Sequence, residues 1–161
     1  MGSSVRFAER RDAERIFRFL VPMHEEIATA PLDPGAAYAR IVNTIENEVA
    51  IIVEDEDGDI VGSVGLEHSP QWFNPAVGFL ADLWFFVTPD QRGGDAAQLL
   101  LEEVARFSEE TGLDAVLIVN NPRRRRTPRT PLQIIASALR YQPNGFVMAA
   151  QTPSREPNVR Q

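Results

Sequence analysis

The sequence predicts an α/β fold in which one mixed sheet of six or seven strands is flanked by about four helices. Three observations carry this. Apolar, β-branched runs alternate with amphipathic stretches in the order β-α-α-β-β-β-α-β-α-β. Asp57-Gly58, set between two such runs, is a hairpin signal and demands antiparallel neighbours. The apolar runs at 78–87 and 114–119 enclose a strong helical stretch, and a strand–helix–strand unit of that kind suggests parallel pairing.

The elements follow in order. Val5-Arg6-Phe7-Ala8 reads as a short first strand. Residues 12–26 read as an amphipathic helix, because Ile16, Phe19, Leu20 and Met23 recur at helical spacing. The two prolines in 28–34 mark a loop, and 34–47 is a second helix with Tyr38, Ile41, Val42 and Ile45 on one face. The β-branched run 49–53 is a buried strand, and 60–66 is its partner across the Asp57-Gly58 turn. Residues 69–75 read as a loop whose Trp72 and Phe73 either pack against the sheet or line a pocket. Residues 78–87 form a long central strand. Residues 95–111 form a helix with Ala97, Leu100, Leu101, Val104 and Phe107 in its buried stripe and Gly112 as C-cap. A strand at 114–119, a polar loop at 120–131, a short helix at 132–140 and a last strand at 146–150 complete the order. Residues 1–150 are expected to form a single domain and 151–161 a polar tail.

Composition narrows the chemistry. The chain has 161 residues, enough for one substantial core, and no cysteine, which excludes disulfides, thiolate metal sites and a cysteine nucleophile. Two histidines, His24 and His68, argue against a multi-histidine metal site, so none is expected. All sixteen basic residues are arginine, which removes Schiff-base chemistry. No apolar run reaches membrane-spanning length, and the N-terminus has no signal-peptide pattern, which together place the protein in the cytoplasm. The net charge of −7 argues against a nucleic-acid partner. Arg123-Arg124-Arg125-Arg126 nevertheless makes a local basic loop, either solvated or facing an acidic protein surface or a phosphate.

The segment Val87-Thr88-Pro89-Asp90-Gln91-Arg92-Gly93-Gly94-Asp95-Ala96-Ala97 joins a strand through a glycine turn to a helix N-terminus. Such a turn exposes successive N–H groups that can hold a pyrophosphate. Asp95-x-x-Gln98 is also a capping box, so a plain capped helix is the other reading.

This segment resembles the acyl-coenzyme A loop of the GNAT family of N-acetyltransferases, whose pattern is Gln/Arg-x-x-Gly-x-Gly/Ala after a strand ending in Val-x-Pro. Gln91-x-x-Gly94-x-Ala96 matches literally, whereas Arg92-x-x-Asp95-x-Ala97 keeps the family spacing with Asp95 in a glycine position. The second register is the better structural match and resembles an Arg-Gly-Gly-x-Ala-Ala variant of phage-type members. Tyr141-Gln142-Pro143-Asn144-Gly145-Phe146 is similar to the family's C-terminal Tyr-x-x-x-Gly-Phe.

The resemblance implies acetyl-coenzyme A as co-substrate and acetyl transfer to an amine by direct attack. It places the pyrophosphate on the backbone of Arg92, Gly93, Gly94, Asp95, Ala96 and Ala97, and a further coenzyme contact at Asn120. It places a donor for the thioester carbonyl around Phe86, Val87 and Thr88, at a bulge in the central strand. Tyr141 becomes the acid that protonates the leaving thiolate. Asp82, expected on the face opposite Leu83, Phe85 and Val87, becomes the base, with Glu67 and His68 as alternatives. His24-Glu25-Glu26 either lines the acceptor mouth or is a solvated helix end. The acceptor is a small-molecule amine or a protein. An inactive adaptor within a larger, viral assembly, a coenzyme-binding regulatory module, and a homodimer all stay open.

Overall fold

The computed structural model describes residues 2–27, 30–118 and 147–150. The elements are β1 (Ser4–Phe7), a 3-10 turn (Arg10–Asp12), α1 (Ala13–Ile27), α2 (Pro34–Asn47), β2 (Val49–Glu54), β3 (Ile60–Gln71), β4 (Asn74–Val87), a second 3-10 turn (Pro89–Gln91), α3 (Ala96–Thr111), β5 (Asp114–Ile118) and β6 (Val147–Ala150). The strands lie side by side in chain order, and every neighbouring pair is antiparallel except β4 with β5. This is the mixed sheet that the hairpin signal and the strand–helix–strand unit predict. The helix expected at 132–140 and the tail at 151–161 lie outside the described residues.

The sheet is buried on both faces, which is why β2 reads as an unbroken apolar run. Val49, Ile51 and Val53 pack under α3 with Leu100 and Val104, while Ala50 and Ile52 pack under α1 and α2 with Ile16, Leu20 and Ile41. The α2 start is written in the sequence: Asp33 accepts the Ala36 N–H at 3.0 Å, and Pro34 occupies the first turn. Asp55 organises the acidic turn by accepting the N–H groups of Asp57 and Asp59 through Oδ1, both at 3.0 Å.

Residues 69–75 depart from expectation. They are not a loop lying on the sheet but the end of a long β3–β4 hairpin, paired through Ser69↔Phe79 and Pro70↔Gly78. Trp72 and Phe73 sit at its tip, 91% and 68% exposed, rather than packed against the sheet. Two prolines and a polar stretch hide the strands from a pattern reading, because proline is tolerated only where no ladder N–H is needed.

Closer to the centre, Gly65 lies opposite Trp84. A Cβ on Gly65 would come within 2.5 Å of the indole, so only glycine lets that ring lie flat across β3. The indole N–H donates to Ser63 Oγ at 3.0 Å, and that hydroxyl donates to the Ile51 carbonyl at 3.0 Å, so this buried polar chain is satisfied.

The N-terminal half is clamped by charge. Asp12 is 1% exposed and accepts from Arg6 Nη1 and Nη2 at 2.8 and 3.0 Å, from Arg15 Nη1 at 2.9 Å and from the Glu9 N–H at 2.8 Å. Arg6 also grips Glu54 on β2 through two 3.0 Å bonds. Hydrogen bonding from Arg6, above all, holds the Asp12 carboxyl down to about 2 and lowers that of Glu54. Because the folded value lies below the unfolded one, this stability is present above pH ~4 and is lost as pH falls toward about 2. Urea denaturation across pH is expected to show Asp12→Asn less stable by about 2–4 kcal/mol at neutral pH, as for a broken buried pair. The variant should also show a shallower loss of stability between those two pH values.

Candidate functional site

The site begins with a change of partner along β4. On its β3 side β4 is paired nearly throughout, but on its β5 side only over Phe79↔Asp114, Leu80↔Ala115 and Ala81↔Val116. Leu117 and Ile118 continue with β6 instead. From Leu83 to Val87 no strand pairs with the β5-facing edge of β4 among the described residues, and the two parallel strands form a wedge.

A bulge sits at the mouth of the wedge. Gly65 pairs with Trp84 and Leu66 with Asp82, so Leu83 is the extra residue. Leu83 and Trp84 consequently fall on the same face, under α1 and α2. The parity of the strand changes there, and this corrects the expectation for Asp82. Asp82 lies opposite Leu66, in the core under α3, so it shares a face with Phe85 and Val87 and opposes only Leu83. It is half-buried at the point where β5 leaves.

The bulge expected around Phe86, Val87 and Thr88 lies at Leu83 instead. Phe86 and Val87 pair regularly with Ser63 and Gly62, and the Thr88 N–H is occupied by the Val61 carbonyl at 3.0 Å. Alternation then turns the Val87 peptide toward the open side.

The glycine turn follows. Thr88 accepts the Gln91 N–H at 2.9 Å and Gln91 accepts the Gly94 N–H at 3.0 Å. Gly93 has φ +98°, a left-handed conformation that favours glycine, and nothing lies within 4 Å of where its Cβ would be. The first intrahelical bond of α3 runs from the Leu99 N–H to the Asp95 carbonyl at 2.9 Å, so the N–H groups of Ala96, Ala97 and Gln98 precede it.

The expected capping box is not formed. Asp95 has φ −84° and ψ −15°, an αR conformation rather than the extended one a side-chain cap needs, and it makes no cap bond. Its carboxylate instead accepts from Ser3 Oγ at 3.3 Å, and Gln98 donates to Glu102 at 2.8 Å. The helix end thus keeps its N–H groups uncapped by side chains, an arrangement that fits an anion. Ala96 is fully buried against the sheet, bringing that helix end close to β4.

Arg92 is held by three contacts. Its Nε donates to the Val87 carbonyl at 3.1 Å, its Nη2 reaches both Glu26 oxygens at 3.1 and 2.9 Å, and its guanidinium lies 5.3 Å from the Phe86 ring centroid. The Phe19 ring meets that of Phe86 at 5.3 Å. Glu26, read from sequence as a helix end or acceptor mouth, is therefore the residue that ties α1 to the glycine turn. The pair spans 66 positions, and no local pattern joins its members.

The alternative bases separate. Glu67 pairs with Ala81 in register and is engaged by Arg40 of α2, which also lies 3.6 Å from Glu48. His68 lies across Gly78, toward the exposed end of the hairpin. Asp82 and Glu67 thus belong to opposite faces of the sheet. Tyr141, Asn120 and the arginine run at 123–126 lie outside the described residues. Among the described residues no group of His, Asp or Glu could hold a metal ion, and no helix is long and apolar enough to cross a membrane.

The family model for the acetyltransferase (GNAT) family matches residues 11–128, more than half of the chain, and the chain belongs to that family. Curated protein sequences give no significant match. The fold is similar to a ribosomal-protein-alanine N-acetyltransferase from Brucella melitensis, at 18% identity and TM-score 0.61 over 85% of this chain and 87% of that one. It is also similar to a predicted acetyltransferase with acetyl-CoA from Clostridium acetobutylicum, at 15% identity and TM-score 0.60 over 80% and 92%. A third similar structure is a GNAT-family N-acetyltransferase from Escherichia coli in complex with CoA, at 16% identity and TM-score 0.58 over 73% and 63%. At these identities the likeness is one of fold. Acetyl-coenzyme A is the co-substrate of the family.

Arg92→Ala is expected to lower stability by about 1–2 kcal/mol, from loss of the carbonyl bond and the ring contact, with the half-exposed ion pair adding little. Arg92→Lys should recover only part of it, because an ammonium cannot make the forked contact to Glu26 while also serving Val87. Chemical denaturation of the three proteins measures both.

Proposed function

We propose that this chain is an acyl-coenzyme A-dependent N-acetyltransferase in which an amine attacks the acyl group directly. The observation that carries the reading is the parting of β4 from β5 after Ala81, beside a helix end with no side-chain cap. Acetyl-coenzyme A supplies an acetyl group activated as a thioester. Within residues 92–97 the Arg92 and Gly94 N–H groups are used inside the turn, by the Pro89 and Gln91 carbonyls, so the N–H groups of Ala96 and Ala97, with the α3 dipole, hold the pyrophosphate. Arg92 acts mainly as a fixing point for the turn, since Val87, Glu26 and Phe86 already engage its guanidinium.

Asp82 removes the proton from the incoming ammonium, which has no lone pair with which to attack. Glu67, on the other face of the sheet beside Arg40, is the alternative. The Val87 N–H, on the open side of β4, is the donor suited to the thioester carbonyl. Tyr141 as thiolate acid and Asn120 as coenzyme contact rest on the family resemblance alone.

The acceptor is a small amine or a protein. The name of the Brucella structure makes a ribosomal-protein alanine one acceptor to screen. A cytoplasmic location and an acidic protein partner for Arg123-Arg124-Arg125-Arg126 belong to this proposal. The phage-type likeness rests on the string from Arg92 to Ala97. The adaptor reading rests on Asp95 in the glycine turn and on Pro143 after Tyr141; Asp95 does not cap its own helix, which weakens the first ground, and Pro143 lies outside the described residues.

Calorimetric titration with acetyl-coenzyme A is the first test. The native chain is expected to bind at micromolar level, and Asp95→Gly about 2–10-fold more tightly, because a negative charge leaves the pyrophosphate site. Binding by the variant alone would make the adaptor reading lead, and binding by neither would reject the coenzyme site. Once an acceptor is found, Asp82→Asn should lower kcat by about 100-fold or more with coenzyme affinity unchanged. An unchanged rate would move the base to Glu67 or His68.

A further inference from the structure

The β3–β4 hairpin runs past the rest of the sheet. β2 pairs with β3 only as far as Val49↔Leu66, and β5 pairs with β4 only from Phe79↔Asp114. Among the described residues the segment between is a two-stranded arm with an open edge on each side. A two-stranded ribbon is marginal by itself in water. Its tip is also the most apolar exposed surface described: Trp72 is 91% exposed, Phe73 68% and Val77 52%. The two rings are already arranged edge to face, 5.6 Å apart at 88°.

We infer that the tip of this arm is a two-fold contact through which two copies of the chain associate. Charge favours a second copy. The protein carries −7, so copies repel one another over most of their surface. Between His68 and Asp82 there is no charged residue, and that uncharged arm is where two acidic molecules can approach. One arm carries both the Trp72 and Phe73 rings and the exposed apolar residues Pro75, Ala76 and Val77, so each copy offers the other both kinds of surface. Two arms side by side satisfy each other, as an isologous contact requires.

The area suffices. Aromatic side chains bury about 150–250 Å² each, so two from each copy remove on the order of 600–1,000 Å². The exposed prolines and Val77 bring this to roughly the 1,200 Å² at which stable interfaces begin. The edges are meanwhile guarded. Pro70 and Pro75 lack the N–H that a further strand would need, so contact by side chains ends at two copies instead of growing into a fibre.

Sedimentation of the full chain from low micromolar to submillimolar concentration tests this. The expected result is a monomer–dimer equilibrium. Iodide should quench Trp72 in dilute solution and lose access to it as the dimer forms, while Trp84, 5% exposed, stays protected throughout. Trp72→Ser and Phe73→Ser should each raise the dissociation constant about tenfold or more, as for hot-spot aromatics. Both residues are solvent-exposed, so circular dichroism and acetyl-coenzyme A titration should be unchanged in these variants. Three results would overturn the inference. One is a monomer at every concentration with Trp72 always quenchable. Another is a dimer that survives both substitutions. The third is Trp72-dependent partition of the monomer onto neutral phosphatidylcholine vesicles, which would make the tip a lipid anchor.

Discussion

Held by β3 along most of its length, β4 is held by β5 over three residues only, Phe79 to Ala81. The site depends on that asymmetry. A strand paired fully on both sides has no edge to offer a ligand, because each backbone N–H and C=O is already engaged. A strand free on one side needs its other ladder to be strong, and here β3 supplies it. Leu83 adds an extra residue at the parting point, so the change of strand direction and the change of side-chain parity occur together.

The second requirement is that the helix after β4 present its N-terminus to the wedge. Pro89 and the hydrogen bonds among Thr88, Gln91 and Gly94 make a tight turn, and Gly93 supplies the left-handed residue within it. Arg92 then pins the turn to the last carbonyl of β4 and to the end of α1. At the opposite edge of the sheet Arg6, Asp12, Arg15 and Glu54 fasten β1, the first turn and α1 to β2. These ions are partnered within the protein and lie apart from the wedge, so their role is structural.

Much of this was legible in the residues. The two hydrophobic periods gave the helices and β2 to within a residue, because α1, α2 and α3 each bury one stripe and β2 is buried on both faces. The glycine turn was legible because its backbone conformation constrains residue type. The far end of the β3–β4 hairpin was not, because an exposed ribbon buries nothing and leaves no alternation to read. The orientation of Asp82 was not legible either, since a bulge shifts parity without any local sequence mark.

What the sequence determined by itself is the order of the described elements, the mixed sheet, the family likeness and the position of the glycine turn before α3. Each follows from local periodicity, turn chemistry or spacing. Only the tertiary structure decided that Asp95 bonds to Ser3 rather than to its own helix, that Arg92 is bound to Glu26, and that Asp82 and Glu67 face opposite ways. The physical reason is common to all three. Each depends on groups far apart in the chain, and whether a polar side chain faces a ligand or a neighbour is settled by whichever partner the fold brings within about 3 Å.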